Sequence, residues 1–344
     1  MESSPPPPPW MTDTRRVGEA LRGSAFRPRA VANALGVLAW SGPALDGLWW
    51  QRKNLAEGLL GAQIELLVRG GRVPTAAARD AFDARAWRAG ILEDGPEGTV
   101  STGLVLPLEC DLVWTDRPER AFVGQSGVFM PDSTSLALRR ALPSEPVARH
   151  LDLGSGGGAV AVRAARWAEE TLALDVNPRG AEAVYRTAAL SGVKMSPVTG
   201  DARELSALGT FDRVSFVFPL LVPWDGLTTA PLHTIAESAS LLVDVLNAVA
   251  ERLNPGGLCL FYVQDFAGAR SLPDAIDAAF KGRPWRGAFW WDYIGETQAG
   301  PLRSGILAIR ADASPGWRDE QNEAPDMGCD DWWPYLAPLL GEEG

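Results

Sequence analysis

The stretch LDLGSGGGAVAV, Leu151 to Val162, constrains the chain more than any other. An apolar strand runs into Gly154, Gly156 and Gly158, and an alanine-rich helix follows at once. Glycines at such a turn allow positive φ and close approach of a ligand to the backbone. The helix start presents unpaired N–H groups to an electronegative ligand. The next apolar segment, TLALDVN, ends at Asp175, 21 positions after Gly154, where a carboxylate accepts two hydrogen bonds from a ribose. A third ends at GDA, where Asp201 and Ala202 face the same end. Taken literally, Gly154, Gly156 and Ala159 also satisfy the dinucleotide fingerprint, so the glycines alone leave NAD and other adenosine cofactors open.

Strand and helix patterns alternate from about residue 128: ARHLDLGS, GAVAVRAARWA, TLALDVN, RGAEAVYRTAALSG, MSPVTGDA, DRVSFVF, LLVDVLNAVAERL, GGLCLFYV, then AFWWDYIG and SGILAIRAD as a terminal pair. This predicts an α/β fold, a doubly wound, mostly parallel, seven-stranded Rossmann-like sheet. Residues 1–12 read as a disordered Pro-rich leader, and 13–126 as a smaller helical, winged-helix-like domain ending in a hairpin within ILEDGPEGTVSTGLVLPL. The sheet domain is expected over 127–311 and an acidic aromatic tail over 312–344.

With Asp152 two residues before the first glycine and acids closing successive strands, residues 127–311 resemble the class I S-adenosylmethionine-dependent methyltransferases. VFMPDSTSLALRRAL and DVNPRGAEAVYRTAALSGV resemble most the branch holding the protein-glutamine (release factor) and related RNA methyltransferases. The resemblance implies S-adenosyl-L-methionine as cofactor. It would be held by Asp152, Gly154, Ser155, Gly156 and Gly158 around the methionine part, Asp175, Val176 and Asn177 at the ribose, and Asp201 with Ala202 at the adenine. The segment near Phe129, Pro131 and Thr134 would close over it.

That branch ends its fourth strand in NPPY, whose Asn holds the nitrogen that is methylated; here Phe218, Pro219, Leu220 and Leu221 stand in its place. A phenyl ring cannot fix an amide nitrogen. The expectation is therefore methyl transfer to a small molecule (O-, N- or C-methylation, in bacterial specialised metabolism), by in-line displacement in an apolar aromatic pocket. Methylation of a macromolecule (protein glutamine or RNA), or an inactive cofactor-binding scaffold, are the alternatives. Phe218 joins both the cofactor and the catalytic candidates; His233, Tyr262 and Asp265 complete the latter, with Gln264, Asp292 and Tyr293 nearby. His150 reads as structural. Trp224, Trp285, Trp290 and Trp291 crowd the expected mouth, with Trp332 and Trp333 in the tail.

The formal charge of −11 argues against a nucleic-acid partner, since phosphate neutralisation needs a basic face. No apolar run suits a bilayer and no signal peptide is evident, so a cytoplasmic location is expected. Three scattered cysteines indicate neither a disulfide framework nor a metal site.

Overall fold

In the computed structural model the described residues are 8–37, 58–117, 120, 127–219, 239–266, 271–297, 300–321 and 331–342. Their centre is an eight-stranded sheet in the order β13-β11-β12-β10-β9-β6-β7-β8. The strands are β6 (Val147–Leu153), β7 (Ala168–Asp175), β8 (Ser196–Thr199), β9 (Phe211–Val217), β10 (Leu253–Phe266), β11 (Trp285–Thr297), β12 (Gly300–Ala311) and β13 (Gly316–Gln321). All run parallel except β12, which is antiparallel to both of its neighbours. The expected terminal pair is therefore β11 and β12. The eighth strand corrects the expected sheet: β13 pairs with β11 inside the segment read as a tail.

Helices cover both faces because every central strand buries both of its sides. On one face lie Ser133–Ala141, Ala159–Ala164 and Pro178–Ser191; on the other lie Ala239–Ala250 and Leu272–Phe280. Two of these ends follow from sequence chemistry. Asp132 caps the first helix by accepting from Thr134 N and Ser135 N, and Asn177 caps the third by accepting from Arg179 N, with Pro178 in its first turn.

The N-terminal helices are Met11–Arg22, Pro28–Leu35, Leu59–Gln63, Thr75–Ala81 and Arg85–Arg88. The third continues as a π turn over Ile64–Val68 and stops at Gly70, whose φ of 65° suits a residue without Cβ. The first begins at Met11, inside the stretch read as leader. The expected hairpin is two. β2 (Leu92–Gly95) and β3 (Gly98–Ser101) turn at Pro96-Glu97 and join β1 (Arg72–Val73), so this N-terminal module holds a three-stranded sheet. β4 (Leu104–Leu108) and β5 (Asp111–Thr115) form a separate pair that leaves this module and lies on helix Pro178–Ser191.

That docking is dense. Ser191 Oγ accepts from Leu112 N and donates to Leu112 O, and Thr187 Oγ1 accepts from Trp114 N while donating to Gly157 O. A Cβ on Gly18 would lie 2.1 Å from the Leu190 carbonyl, so helix Met11–Arg22 touches the same helix backbone to backbone. Beneath the β4–β5 turn, fully buried Arg139 donates to Ala159 O, Glu109 (2.9 Å) and Asp111 (3.0 Å), and Arg166 also pairs with Asp111. Within residues 331–342, Trp332 N donates to Arg140 O, its ring meets Trp290 edge-on at 5.4 Å, and Trp333 is buried.

Candidate cofactor and acceptor site

The strand ends of β6, β7 and β9 carry the expected residues to one place. Gly154, Gly156 and Gly158 have φ of 58°, 51° and 77°, a succession that L side chains disfavour. The loop they form is stitched to its surroundings: Ser155 N donates to Leu174 O, and Gly158 N donates to Ser155 O. Asp175 closes it from β7, its Oδ2 accepting from Gly156 N at 2.7 Å and its Oδ1 from Asn177 N at 2.8 Å. Each carboxylate oxygen keeps a lone pair for a further donor. Burial pushes the Asp175 carboxyl above its ordinary value, while the two backbone donors pull it back. A Cβ on Gly180 would crowd both Asp175 and the Gly156 carbonyl at 3.3 Å, so that glycine lets the next helix close against the site.

Two observations bear on what this loop fits. The Ser155 hydroxyl is buried without a hydrogen-bond partner among the described residues, and Val176 beside Asp175 is 53% exposed, an apolar surface suited to a base. The residues present therefore fit an adenosyl cofactor. Asp201 sits at the third strand end, but both of its oxygens accept from Arg203, whose guanidinium holds the carboxyl below its usual value. Ala202 is half-buried against the core.

Asp152 lies beneath the loop and is 2% exposed. Its Oδ2 accepts from Ala161 N in the first turn of helix Ala159–Ala164, and its Oδ1 accepts from Ser215 Oγ at 2.6 Å. Burial raises its carboxyl to about 7, against the opposing pull of these two donors. Phe218 directly follows the last residue of β9. Its ring is buried in the core, edge-on to Phe216 with centroids 5.4 Å apart, and Phe216 in turn underlies Gly154. Leu220, Leu221, Trp224 and His233 lie outside the described residues, as do the side chains of Asp265 and Tyr293.

Tyr262 belongs to a polar ledge that sequence reading only partly anticipates. Gln264, Ser304 and Asp292 stand in one cross-strand row on β10, β12 and β11, and Tyr262 is one row deeper on the same face. Ser304 Oγ donates to the Tyr262 hydroxyl at 2.9 Å. Burial raises the Tyr262 phenol, the Ser304 bond opposes this, and the nearby carboxylates of Asp292 and Asp132 raise it further. Ser304 and Ser215 were not among the expected residues; each is a single hydroxyl in an apolar strand, the one signal that marks it.

The strand order, the single antiparallel strand and the glycine loop define the class I methyltransferase fold. Over 113 residues the chain is 35% identical to the ribosomal protein L11 methyltransferase of Symbiobacterium thermophilum, a match covering 33% of this chain and 31% of that protein. The chain thus matches about a third of the length of that curated relative. No family model matches. Similar solved structures include Trm5b from Pyrococcus abyssi (14% identity, 64% of this chain and 62% of that one, TM-score 0.45). Another is the ribosomal protein L11 methylase of Lactobacillus delbrueckii subsp. bulgaricus (17% identity, 56% and 82%, TM-score 0.37).

Proposed function

We propose that the protein transfers a methyl group from S-adenosylmethionine to an acceptor carried on another protein. The observation that carries the methyltransferase reading is the glycine loop closed by Asp175, with exposed Val176 and a Ser155 hydroxyl that has no partner among the described residues beside it. When bound, the cofactor supplies an electrophilic methyl on a sulfonium. The chain's own part is orientation and exclusion of water, because charge is neutralised in such a displacement. Asp175 would accept from the ribose hydroxyls, and Phe216, which underlies Gly154, gives the loop an apolar floor. Tyr262 stays protonated at neutral pH, so it orients an acceptor by donating its O–H and does not take the acceptor's proton. Asp292 and Asp132 place negative charge near that hydroxyl, which suits the approach of a basic partner.

The acceptor class rests on different support. The curated relative acts on a ribosomal protein by its name, and the acidic chain suits a basic protein partner better than a phosphate backbone. This favours the macromolecular alternative over the small-molecule acceptor expected from FPLL. Calorimetric titration with S-adenosylhomocysteine and NADH, with Asp175→Ala as control, tests the cofactor. S-adenosylhomocysteine binding that weakens in the variant supports it; NADH binding, or none, overturns it. Transfer of radiolabelled methyl into a lysate then separates acceptors: label in the protein fraction supports the proposal, while label confined to RNA or small molecules overturns the protein acceptor.

A further inference from the structure

Behind Asp152 lies a buried chain of hydrogen bonds that the reading above does not use. His150 Nε2 is 2.9 Å from Ser215 Oγ, and that hydroxyl is 2.6 Å from Asp152 Oδ1. His150 and Ser215 are fully buried. The geometry is dictated by register: Asp152 is directly opposite Ser215 on β9, and His150, two residues earlier and so on the same face, is opposite Arg213 on β9 and Thr171 on β7. His150 Nδ1 and Thr171 Oγ1 have no partner among the described residues. The imidazole's one polar tie is therefore to Ser215, and its tautomer must follow the direction of that bond.

The chain can point only two ways. With Asp152 ionised, Ser215 donates to the carboxylate and its oxygen accepts from the Nε2–H tautomer of His150. With Asp152 protonated, the carboxyl can donate to Ser215, Ser215 donates to Nε2, and the imidazole proton sits on Nδ1. His150 itself stays neutral, because burial and the neighbouring Arg213 hold it well below the usual imidazole range. No cation on this side therefore compensates Asp152. The other groups facing it are the Ala161 N–H from the helix above, the like charge of Asp175 on β7, and Arg213, whose guanidinium is committed to the Pro143 and Glu145 carbonyls. Arg139, on the helix before β6, reaches only the Ala159 carbonyl and its own carboxylate partners.

We propose that Ser215, backed by His150, is a positioning residue that sets the proton state of Asp152, and through it how tightly the glycine loop takes an adenosyl ligand. Ionised Asp152 makes a charge-assisted bond to the first turn of the helix that follows the loop, and places negative charge under the ammonium-bearing end of the ligand. Affinity rises with pH as Asp152 ionises. The proposal rests on the cofactor reading above.

The test is the dissociation constant of S-adenosylhomocysteine between pH 5.5 and 9, beside the tautomer of His150 followed by 15N NMR of histidine-labelled protein, which has two histidines to assign. In the wild type, affinity is expected to rise through a midpoint near 7, with the imidazole passing from Nδ1–H to Nε2–H over the same range. Ser215→Ala removes a donor to the charged form, so the midpoint moves up by about one pH unit, weakening binding roughly fivefold at pH 7 and hardly at pH 9. A pH-independent affinity, an unmoved midpoint in the variant, or a tautomer that ignores pH overturns the inference. The NMR arm needs no variant and stands even if Ser215→Ala fails to fold. Absence of S-adenosylhomocysteine binding at every pH would instead remove the cofactor reading, and the tautomer would still report on the relay.

Discussion

At the scale of single residues, the site is most sensitive where backbone and carboxylate meet. Asp175 accepts from two loop N–H groups and has capacity left for a ribose. Asp175→Ala is expected to raise the dissociation constant of S-adenosylhomocysteine about tenfold or more, measured by calorimetry, as loss of hydrogen bonds to a charged group implies. Gly154→Ala meets two obstacles, a φ of 58° and a Phe216 ring 2.9 Å from the new Cβ. It should cost roughly 1–3 kcal/mol in urea denaturation, and Phe216→Leu beside it should recover the steric part only. These residues were legible because glycine spacing and strand-end acids are local signals. Ser215 and Ser304 were not: each matters through a partner on a neighbouring strand, and register across strands is invisible in a linear chain. The place of Phe218 at a strand end is readable, but the edge-on packing of its ring against Phe216 is not, for the same reason.

At the scale of elements, alternating strand and helix patterns gave the central sheet almost strand by strand, since period and punctuation suffice for parallel units. The hairpin region misled because β3 and β4 are separated only by Thr102 and Gly103. The second hairpin, β4–β5, matters more for the site. Through Thr187 it is coupled to the carbonyl of Gly157 in the glycine loop. Thr187→Val strands a buried Trp114 N–H and should cost about 1–3 kcal/mol in urea denaturation. Arg139→Met leaves Glu109 and Asp111 facing each other in the interior with only part of their counter-charge, and should cost about 3–5 kcal/mol by the same measurement. If either variant unfolds with wild-type stability, the β4–β5 hairpin is an ornament on the sheet domain and not part of its support.

At the scale of the whole molecule, two buried groups on one strand pull the pH dependence of stability in opposite directions. His150 has its folded value depressed, so its contribution is present above about pH 6.5 and is lost as the pH falls. Asp152 has its folded value raised to about 7, so its contribution is present below about pH 4 and is lost as the pH rises through 7. Where a group is charged in one state and neutral in the other, its slope is about 1.4 kcal/mol per pH unit, and the two oppose. Asp152→Asn should therefore grow more stable from pH 5 to 6.5, and His150→Gln less stable over the same interval, in urea denaturation at fixed pH. A different consequence belongs to β13. This short strand, carrying Arg318, Asp319 and Glu320, covers the apolar run Ala288 to Trp291 of β11, and Asp319 ties down Trp291 and Arg303. Anyone trimming the protein to its cofactor-binding minimum would be tempted to cut at residue 312. The shortened chain would keep every residue of the glycine loop and yet offer an open, aromatic-rich border to the next copy of itself, so the cut sets solubility while sparing the chemistry.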